Sequence, residues 1–394
     1  YAMSASLVGS EMCIRDRLAV VPGLVTGDWS TWIYRALSFL VVSCPCALVI
    51  SIPLSFFAGI GAASRYGILV KGSNYLEKFN NADIFVFDKT GTLTKGNFAV
   101  TEVLPADKKE EVLALAAVAE KDSAHPIAVS IRECYGKEAA GGYTLTNIAG
   151  HGVVASKGGD VICCGNEKLM RDKGIDFREH PGVGTVVYVA RNGKFEGSLL
   201  IADQIKEEAA PMVRELTDMG CKTVMLTGDN DAIASRVAAQ IGVTSYKASL
   251  LPQDKVTEVE KMLAAKKDGD VLCFVGDGIN DAPVLMRSDI GIAMGGVGSD
   301  AAIEAADIVL MHDQLKGISL AKRIARKTMA IVKENIVFSL VIKIAILALS
   351  ALGITNMWFA VFGDVGVAVL AILNAMRVNS NYHKKSQGAL PEAA

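Results

Sequence analysis

The chain has 394 residues, a formal net charge of −2 and a hydrophobic fraction of 51%. Its mean hydropathy of +0.34 is high for a purely soluble enzyme. This length allows two or three domains, and without a strong basic block the sequence argues against a nucleic-acid partner. The eight cysteines are scattered and form no recognisable disulfide framework.

Charged residues are unevenly distributed along the chain. Residues 36–63 contain no Asp, Glu, Lys or Arg, and residues 335–376 contain only Lys343 and Asp364. Residues 80–330 have the charge content of an ordinary soluble domain. This distribution predicts membrane segments on both sides of a water-exposed unit, with the lipid bilayer as one partner of the protein.

The N-terminal region divides into two parts. The tail of residues 1–17, "SLVGSEMCIRDR", resembles translated sequencing-adaptor sequence, so we treat these residues as a non-native artefact. A long apolar helix is predicted from Tyr34 to about Gly61, interrupted by Pro45 and Pro53. Basic residues follow it, as expected where a chain leaves the membrane on the cytoplasmic side.

The central region changes character twice. A short apolar strand ends at Asp88, and residues 98–198 read as an inserted α+β unit containing a hairpin that turns at Asn192-Gly193. From Asp203 onward, short strands alternate with helices, which predicts a doubly wound parallel sheet of the α/β class. The predicted domains are 18–79 (membrane helices and stalk), 80–97 with 199–325 (parallel sheet), 98–198 (inserted domain), 326–378 (two membrane helices) and 379–394 (polar tail).

Three predicted strands of the parallel sheet end in acidic turns: "FVFDKTGT", "VMLTGD" and "CFVGDGIND". We expect Asp88, Asp229, Asp277 and Asp281 to lie near one edge, because ligands bind beyond the carboxyl ends of parallel strands. Converging carboxylates repel one another unless a hard cation such as Mg²⁺ lies among them. The alternative is that Asp and Gly only form turns, but three such turns in this order favour a site.

A carboxylate at this edge could also act as a nucleophile toward phosphorus and form an aspartyl-phosphate. Thr227 could then hydrogen-bond the phosphoryl oxygens, and Lys255 could neutralise the charge that develops on them. The edge of the sheet is therefore a candidate phosphoryl-transfer site.

Four motifs, "DKTGTLTKG", "TGD", "LPQDK" and "GDGINDAPVL", resemble the phosphorylation-domain signatures of the P-type ATPases, whose sheet is haloacid-dehalogenase-like. The resemblance implies ATP as substrate, Mg²⁺ as cofactor and Asp88 as the residue that is phosphorylated. It implies catalytic roles for Asp88, Lys89, Thr90, Thr227, Gly228, Asp229, Lys255, Asp277, Asn280 and Asp281, with Asp88, Thr90 and Asp277 on Mg²⁺. Asp203, in "ADQIK", matches the family's hinge acid.

The inserted unit carries "EKDSAHPIA" and "AGHGV", which resemble the nucleotide-domain signature of the heavy-metal-transporting branch. The resemblance implies that Glu120, His125, Gly150 and Gly152 hold the adenine end of ATP. The two glycines would let the backbone approach the purine closely. Taken alone, His125 would be a solvated histidine in a turn. Ala124 departs from the glutamate that is common at this position.

The stretch "VVSCPCALVISIP" places Cys44 and Cys46 on either side of Pro45 in an apolar segment. Two thiolates would select soft or borderline ions such as Zn²⁺, Cd²⁺, Pb²⁺ or Cu⁺ over Mg²⁺. We expect no disulfide between the two, because their spacing is too short for the usual Cα separation. The alternative is a pair of structural cysteines beside a helix kink.

Lys343 and Asp364 lie deep in the last two apolar stretches, where ionisable groups are costly and face partners or a pathway. Lys343 could instead snorkel to the interface. Asp364 adds an oxygen ligand to two sulfurs, which favours divalent Zn²⁺, Cd²⁺ or Pb²⁺ over Cu⁺. The combination resembles the zinc/cadmium/lead-exporting subgroup of the heavy-metal (type IB) P-type ATPases, and we expect Lys343 to pair with Asp364 as a counter-charge once the ion has left.

The resemblance implies ATP-driven export of a soft divalent ion across a bacterial cell membrane, with a multi-pass membrane part and cytoplasmic central domains. The actuator signature TGE is missing from the sequence, so we expect the actuator domain and the first membrane helices upstream and this fragment to be incomplete for transport. One alternative is a Cu⁺ exporter of the same family. The other is a haloacid-dehalogenase-like phosphatase, which would usually carry an aspartate where Thr90 stands.

Overall fold

The structure is a computed structural model that describes residues 17, 20–43, 45–182, 184–277, 281–295, 300–352, 354 and 357–379. The chain divides into two compact units. The first comprises residues 1–82, 307–311 and 317–394, and the second comprises residues 83–306 and 312–316. Nearly all of the predicted non-native segment, 1–17, and the whole predicted tail beyond 379 lie outside the described residues.

The first unit begins with two apolar helices, α1 (Trp29–Ser43) and α2 (Cys46–Ser64), followed by β1 (Ile68–Val70) and α3 (Ser73–Asn80). The chain breaks between α1 and α2 at Pro45, as predicted. The predicted interruption at Pro53 is wrong, because α2 continues through it as a helix. A proline removes a single hydrogen bond from the ladder, and an apolar helix with packed neighbours tolerates that loss.

The second unit contains two sheets and the helices that cover them. In chain order its elements are β2 (Ala82–Asp88), β3 (Thr94–Leu104), α4 (Lys109–Ala119), α5 (Pro126–Tyr135), β4 (Thr144–Ile148), β5 (Gly152–Lys157), β6 (Asp160–Gly165), α6 (Glu167–Asp172), β7 (Thr185–Arg191), β8 (Lys194–Ile205), α7 (Ala209–Asp218), β9 (Lys222–Leu226), α8 (Asp231–Ile241), β10 (Ser245–Lys247), α9 (Pro252–Ala265), β11 (Val271–Gly276), α10 (Ala282–Arg287), β12 (Ile290–Met294) and α11 (Asp300–Ala305).

The parallel sheet of this unit has the strand order β12-β11-β2-β9-β10. The β11–β12, β2–β9 and β9–β10 pairs are parallel. Most residues of its central strands are apolar and buried, as expected for strands covered on both faces. Val86, Leu226 and Phe274 are almost fully buried in one hydrophobic cluster with Val259 of α9. Since β2 lies between β11 and β9, the acidic turns that follow these three strands share one edge.

The second sheet is antiparallel, with the order β3-β8-β7-β6-β5-β4. Helix α4 buries Val112, Leu113 and Ala116 against it. The predicted hairpin is confirmed, since Arg191 pairs with Lys194 around the Asn192-Gly193 turn. The predicted domain boundaries at 97/98 and 198/199 fall inside β3 and β8, so both strands extend beyond the predicted inserted unit.

The chain returns to the first unit through β13 (Ile308–Leu310), which pairs antiparallel with β1. It continues in α12 (Lys316–Ala351), α13 (Met357–Val361), a π-helical turn at Phe362–Gly366 and α14 (Val367–Met376). Buried Asn335 of α12 donates its amide to the carbonyl of Ala371 at 3.0 Å. This contact fastens α12 to α14.

Two helical segments in the described part of the chain, Cys46–Ser64 and Phe362–Asn379, are long and apolar enough to cross a membrane. The predicted apolar stretch from Ile336 lies within the C-terminal half of α12. The predicted fold class is confirmed: apolar helices at both ends of the chain enclose, in sequence, a doubly wound parallel sheet with an inserted antiparallel domain.

Candidate functional site

Asp88 is the last residue of β2, and a tight loop follows it. Gly91 in that loop has φ +76°, a conformation that side chains rarely adopt. A Cβ at Gly91 would lie 1.6 Å from Oδ2 of Asp277, so only glycine allows that carboxylate to approach the loop. Thr90 precedes this glycine. The loop therefore brings the end of β2 and the end of β11 together.

Three carboxylates converge at this edge of the sheet. Ligand oxygens of Asp88, Asp277 and Asp281 lie within 4.8 Å of one another. Asp88 and Asp281 are 6% and 2% exposed. The ammonium of Lys255, on α9, lies 2.7 Å from Oδ1 of Asp88 and 3.1 Å from Oδ1 of Asp281. The structure thus assembles four predicted catalytic residues around one point.

Burial and mutual repulsion both shift the pKa values of these carboxylates. Burial, followed by repulsion from Asp281, raises the pKa of Asp88 to about 6, although Lys255 works in the opposite direction. Burial and Asp281 also raise the pKa of Asp277. Burial of Lys255 disfavours its charged form, but the two carboxylates outweigh that effect and raise its pKa. One ammonium cannot neutralise three acids, so the cluster retains excess negative charge.

This cluster fits a hard divalent cation. Its donors are oxygens, its charge is incompletely neutralised, and Gly91 keeps the approach to Asp277 free of a side chain. Asp88 and Asp277 could hold Mg²⁺ together with the backbone carbonyl of Thr90. Asn280, which the resemblance also implicates, lies outside the described residues.

Lys89, Thr227, Gly228 and Asp229 lie beside the cluster. The Lys89 ammonium is 2.8 Å from Oδ2 of Asp229 and 3.7 Å from Oδ2 of Asp203. Thr227 is buried, and its hydroxyl accepts a hydrogen bond from the backbone N–H of Asp229 at 3.1 Å. Gly228 lies between these two residues. The predicted hinge acid Asp203 therefore shares a cation with the end of β9.

Two clamps on the Asp88 loop were not predicted. The Lys206 ammonium donates to the carbonyl of Gly91 at 3.0 Å and to the carboxylate oxygens of Asp313 at 2.9 and 3.0 Å. The Thr94 hydroxyl contacts the carboxylate of Asp203 and accepts from the Gly91 N–H at 3.3 Å. Both residues stand in quoted motifs, since Lys206 is the last residue of "ADQIK" and Thr94 is the last residue of "DKTGTLT". Their places in these motifs are the only sequence features that point to them.

A second site lies on the antiparallel sheet. A cavity of about 340 Å³ is lined by all four residues predicted to bind nucleotide, Glu120, His125, Gly150 and Gly152. Burial raises the pKa of Glu120. His125 caps α5, its Nδ1 accepting from the Ile127 N–H at 3.3 Å. Residues from both motifs of the inserted unit therefore line this cavity.

Gly150 and Gly152 of this cavity require glycine for different reasons. A Cβ at Gly152, which has φ +142°, would lie 2.3 Å from the carbonyl oxygen of Cys164 on β6. Gly150 has φ +74° and open space around it. Close packing between β5 and β6 therefore requires Gly152, which differs from the predicted reason of contact with a purine. Gly150 requires glycine only for its backbone conformation.

Three neighbours of this cavity were missed from the sequence. His151 and Asn166 line it, and Nε2 of His151 lies 3.3 Å from Oδ2 of Asp172. Arg132 on α5 donates to the carbonyls of Glu120 and Ser123, the latter at 2.7 Å, and so holds the loop that carries Glu120. His151 stands within the quoted "AGHGV" motif and could have been considered there.

The apolar helices contain a third polar site. The Lys343 ammonium, on α12, lies 3.3 Å from Oδ1 of Asp364, with 8% and 14% of the two side chains exposed. A Cβ at Gly363 would lie 2.0 Å from Cδ1 of Ile346, so glycine lets the Asp364 turn approach α12. The two ionisable residues predicted at membrane depth are thus in direct contact.

The predicted sulfur ligands are only partly described. Cys46 begins α2 and is disulfide-bonded, while Cys44 lies outside the described residues. A disulfide sulfur is not a thiolate, so Cys46 could bind a metal only after reduction. Helix α2 packs against the turn that carries Asp364. The structure therefore brings the helix of Cys46 next to the Lys343–Asp364 pair.

Residues 82–289, more than half of the chain, match the family model of the haloacid dehalogenase-like hydrolases. The chain belongs to this family. The match runs from β2, which ends at Asp88, through the inserted antiparallel sheet to β11 and α10.

The chain is similar to curated metal-transporting ATPases. It is 54% identical over 368 residues to the cadmium, zinc and cobalt-transporting ATPase of Bacillus subtilis (strain 168), covering 92% of this chain and 52% of that protein. It is 51% identical to the zinc-transporting ATPase of Synechocystis sp. (strain ATCC 27184 / PCC 6803 / Kazusa), covering 91% of this chain and 50% of that protein. The chain thus spans about half the length of the curated relatives it matches.

Two solved ATPase structures are also similar to this chain. A zinc-transporting PIB-type ATPase in the E2.Pi state superposes with a TM-score of 0.82 at 35% identity, covering 95% of this chain and 62% of that one. The catalytic domain of a CPx-ATPase gives a TM-score of 0.50 at 27% identity, covering 67% of this chain and 98% of that one. The predicted resemblance to the heavy-metal-transporting P-type ATPases is confirmed.

Proposed function

We propose that this chain is the catalytic and C-terminal membrane part of a pump that exports Zn²⁺, Cd²⁺ or Pb²⁺ by hydrolysing ATP through an aspartyl-phosphate. The observation that carries the proposal is the convergence of Asp88, Asp277 and Asp281 on Lys255 at the carboxyl edge of the sheet. A buried, nucleophilic carboxylate beside a cation and further acids has the composition of a phosphoryl-transfer site.

The chemistry at Asp88 is a single displacement. One oxygen of its carboxylate forms a bond to the γ-phosphorus of ATP, the bond from that phosphorus to the bridging oxygen breaks, and ADP leaves with the bond's electron pair. Mg²⁺ held by Asp88, Thr90 and Asp277 would supply positive charge to the phosphate oxygens. Lys255 neutralises charge that develops on the transferred group, and Thr227 can donate its hydroxyl to it.

The remaining residues of the phosphorylation site position the reacting groups. Lys89 keeps Asp229 and Asp203 together next to the transferred group. Glu120, His125, Gly150 and Gly152 form the cavity that would accept the adenine end of ATP. Hydrolysis of the aspartyl-phosphate would restore Asp88 for the next cycle.

The ion would cross the bilayer next to Lys343 and Asp364. When the ion has left, the Lys343 ammonium neutralises Asp364. When it is present, the Asp364 carboxylate and the reduced thiolates of Cys44 and Cys46 would supply one oxygen and two sulfurs, a donor set for Zn²⁺ or Cd²⁺. This assignment makes the protein a multi-pass protein of a bacterial cell membrane with cytoplasmic catalytic domains.

The relatives support this choice of ion in part. Zinc appears in the names of the Bacillus and Synechocystis proteins, and cadmium and cobalt in that of the Bacillus protein. Cobalt was not among the predicted ions, and Pb²⁺ rests on ligand chemistry alone. We retain Zn²⁺ and Cd²⁺ as the leading candidates.

Phosphoenzyme formation from labelled ATP tests the proposal. The full-length protein, kept under reducing conditions, is incubated with Zn²⁺, Cd²⁺, Pb²⁺, Co²⁺ or Cu⁺, and the acid-stable phosphate on the protein is measured. Stimulation by Zn²⁺ and Cd²⁺ supports the proposal. Stimulation by Cu⁺ alone would favour a copper exporter, and hydrolysis of small phosphate esters without metal stimulation would favour a phosphatase.

A further inference from the structure

Lys322 on α12 is a buried cation that the proposed chemistry does not use. It is 0% exposed, and burying an ammonium is costly unless its donors are paired. Its Nζ donates to the backbone carbonyls of Phe79 at 3.4 Å, Asn80 at 3.1 Å and Ala82. An ammonium has three N–H donors, and these carbonyls offer an acceptor to each of them.

The three acceptors lie at one junction of the chain. Phe79 and Asn80 end α3, where the helix carries the negative end of its dipole. Ala82 begins β2, and the last residue of the same strand is Asp88. Lys322 therefore binds the first residue of β2, the strand that ends at Asp88.

Helix α12 also connects this junction to the apolar helices. At 1.5 Å per residue, Lys343 lies about 30 Å farther along the same helix. Between them, a Cβ at Gly59 of α2 would lie 2.6 Å from Oγ1 of Thr328 and 2.7 Å from Cδ2 of Leu76. A side chain at position 59 would therefore force Thr328 or Leu76 to move, which shows how closely α2, α3 and α12 meet. A displacement of α12 at Lys343 reaches Lys322 through one continuous helix.

We propose that Lys322 is a positioning residue that couples metal occupancy at the Lys343–Asp364 pair to phosphorylation of Asp88. The inference rests on the proposed function. An ion that separates Asp364 from Lys343 displaces α12, and the Lys322 ammonium transmits that displacement to the start of β2. A packed helix that contacts both regions can transmit energetic coupling between them.

The test compares Lys322→Met with Lys333→Met in the full-length protein. Methionine keeps the length of the side chain and removes all three donors, while Lys333 is an exposed residue of the same helix. Phosphorylation by ATP is measured with and without Zn²⁺, and phosphorylation by inorganic phosphate is measured without Zn²⁺. We expect Lys322→Met to lower the ratio of zinc-stimulated to basal phosphorylation on the order of tenfold.

The inorganic-phosphate reaction separates positioning from folding. It takes place at the same carboxylate cluster and is measured without Zn²⁺, so it requires no signal from a bound ion. We expect it to change by less than about twofold in Lys322→Met, whereas a folding defect would reduce both reactions in parallel. An unchanged zinc ratio would overturn the inference, and a parallel loss of both reactions marks a folding defect, in which case Lys322→Gln decides. A wild-type protein without zinc stimulation would overturn the proposed function itself.

Lys322→Gln covers the case in which Lys322→Met does not fold. Glutamine keeps two N–H donors but is shorter and uncharged, so part of the acceptor set remains satisfied. We expect its zinc ratio to fall while the inorganic-phosphate reaction persists. A wild-type ratio in Lys322→Gln would contradict the coupling role.

Discussion

The carboxylate edge of the parallel sheet and the apolar helices each bury a lysine against an acid, but they balance charge differently. At the sheet, Lys255 lies 2.7 Å from Asp88 and 3.1 Å from Asp281, with Asp277 close by. In the helices, Lys343 lies 3.3 Å from Asp364. The first site keeps excess negative charge and so favours a further cation. The second pairs one ammonium with one carboxylate, so an ion that binds Asp364 must displace the lysine.

The difference has an energetic consequence. Burial of Asp88, followed by repulsion from Asp281, raises its pKa to about 6, which means that the folded chain holds a desolvated and repelled carboxylate at neutral pH. Binding of Mg²⁺ would relieve that repulsion. A site built for catalysis commonly costs stability in this way.

Asp88→Asn gives the largest expected effect, because it removes the nucleophile of the crowded site and leaves its shape unchanged. We expect no acid-stable phosphoenzyme from labelled ATP. Asp218→Asn, a change at an exposed aspartate of α7, serves as the matched control and retains phosphorylation. Persistent phosphorylation of Asp88→Asn would assign the reaction to another residue.

The same variant tests the cost of the buried Asp88 carboxylate through the pH dependence of the folding stability. Because the folded pKa of Asp88 is about 6 against an ordinary 3.8, the folded chain binds its proton more tightly than the unfolded chain. Wild-type stability relative to Asp88→Asn is therefore highest below pH 4 and falls as the pH rises to about 6, by about 3 kcal/mol in total. Urea unfolding in detergent at successive pH values measures this difference.

Two results decide the comparison of wild-type and Asp88→Asn stability. Added Mg²⁺ at pH 7 should restore much of the lost stability in the wild type and less of it in Asp88→Asn. A stability difference that does not vary with pH would show that the cluster is not strained, and the contrast with the neutral helix pair would disappear.

Gly91→Ala perturbs the geometry of the crowded site and leaves its charge intact. The new Cβ would lie 1.6 Å from Oδ2 of Asp277, so that carboxylate must move. We expect Mg²⁺ affinity, measured by calorimetric titration, to fall about tenfold, or about 1.4 kcal/mol. Gly193→Ala has a similar φ of +80° with nothing nearby, so it incurs only the backbone strain. Equal Mg²⁺ affinities in the two variants would exclude a role for the Gly91 approach.

Much of the crowded site follows from sequence, because local patterns produce it. Apolar strands that end in acidic turns predict that Asp88, Asp277 and Asp281 share one edge, and the order of the strands confirms it. The hairpin at Asn192-Gly193 is equally local. Each of these features depends on residues that are neighbours in the chain or on a general rule of parallel sheets.

The remaining features depend on contacts that no local pattern encodes. Lys206 reaches Gly91 across 115 positions and Lys322 reaches Ala82 across 240. The need for Gly152 arises from the approach of β6, which only the strand pairing reveals. Pro53 was read as a break because a proline alone does not show whether neighbouring helices support the turn around it.

Lys343→Ala produces the smallest expected effect and tests the neutral pair. Without the ammonium, nothing displaces the ion from Asp364, so Zn²⁺ should bind more tightly and leave more slowly. We expect the half-saturating Zn²⁺ concentration for phosphorylation to fall and zinc-stimulated ATP turnover to fall about fivefold. Lys333→Ala, an exposed change on the same helix, should alter neither quantity. Turnover equal to that of the wild type would remove Lys343 from the transport cycle and leave its contact with Asp364 as a purely structural one.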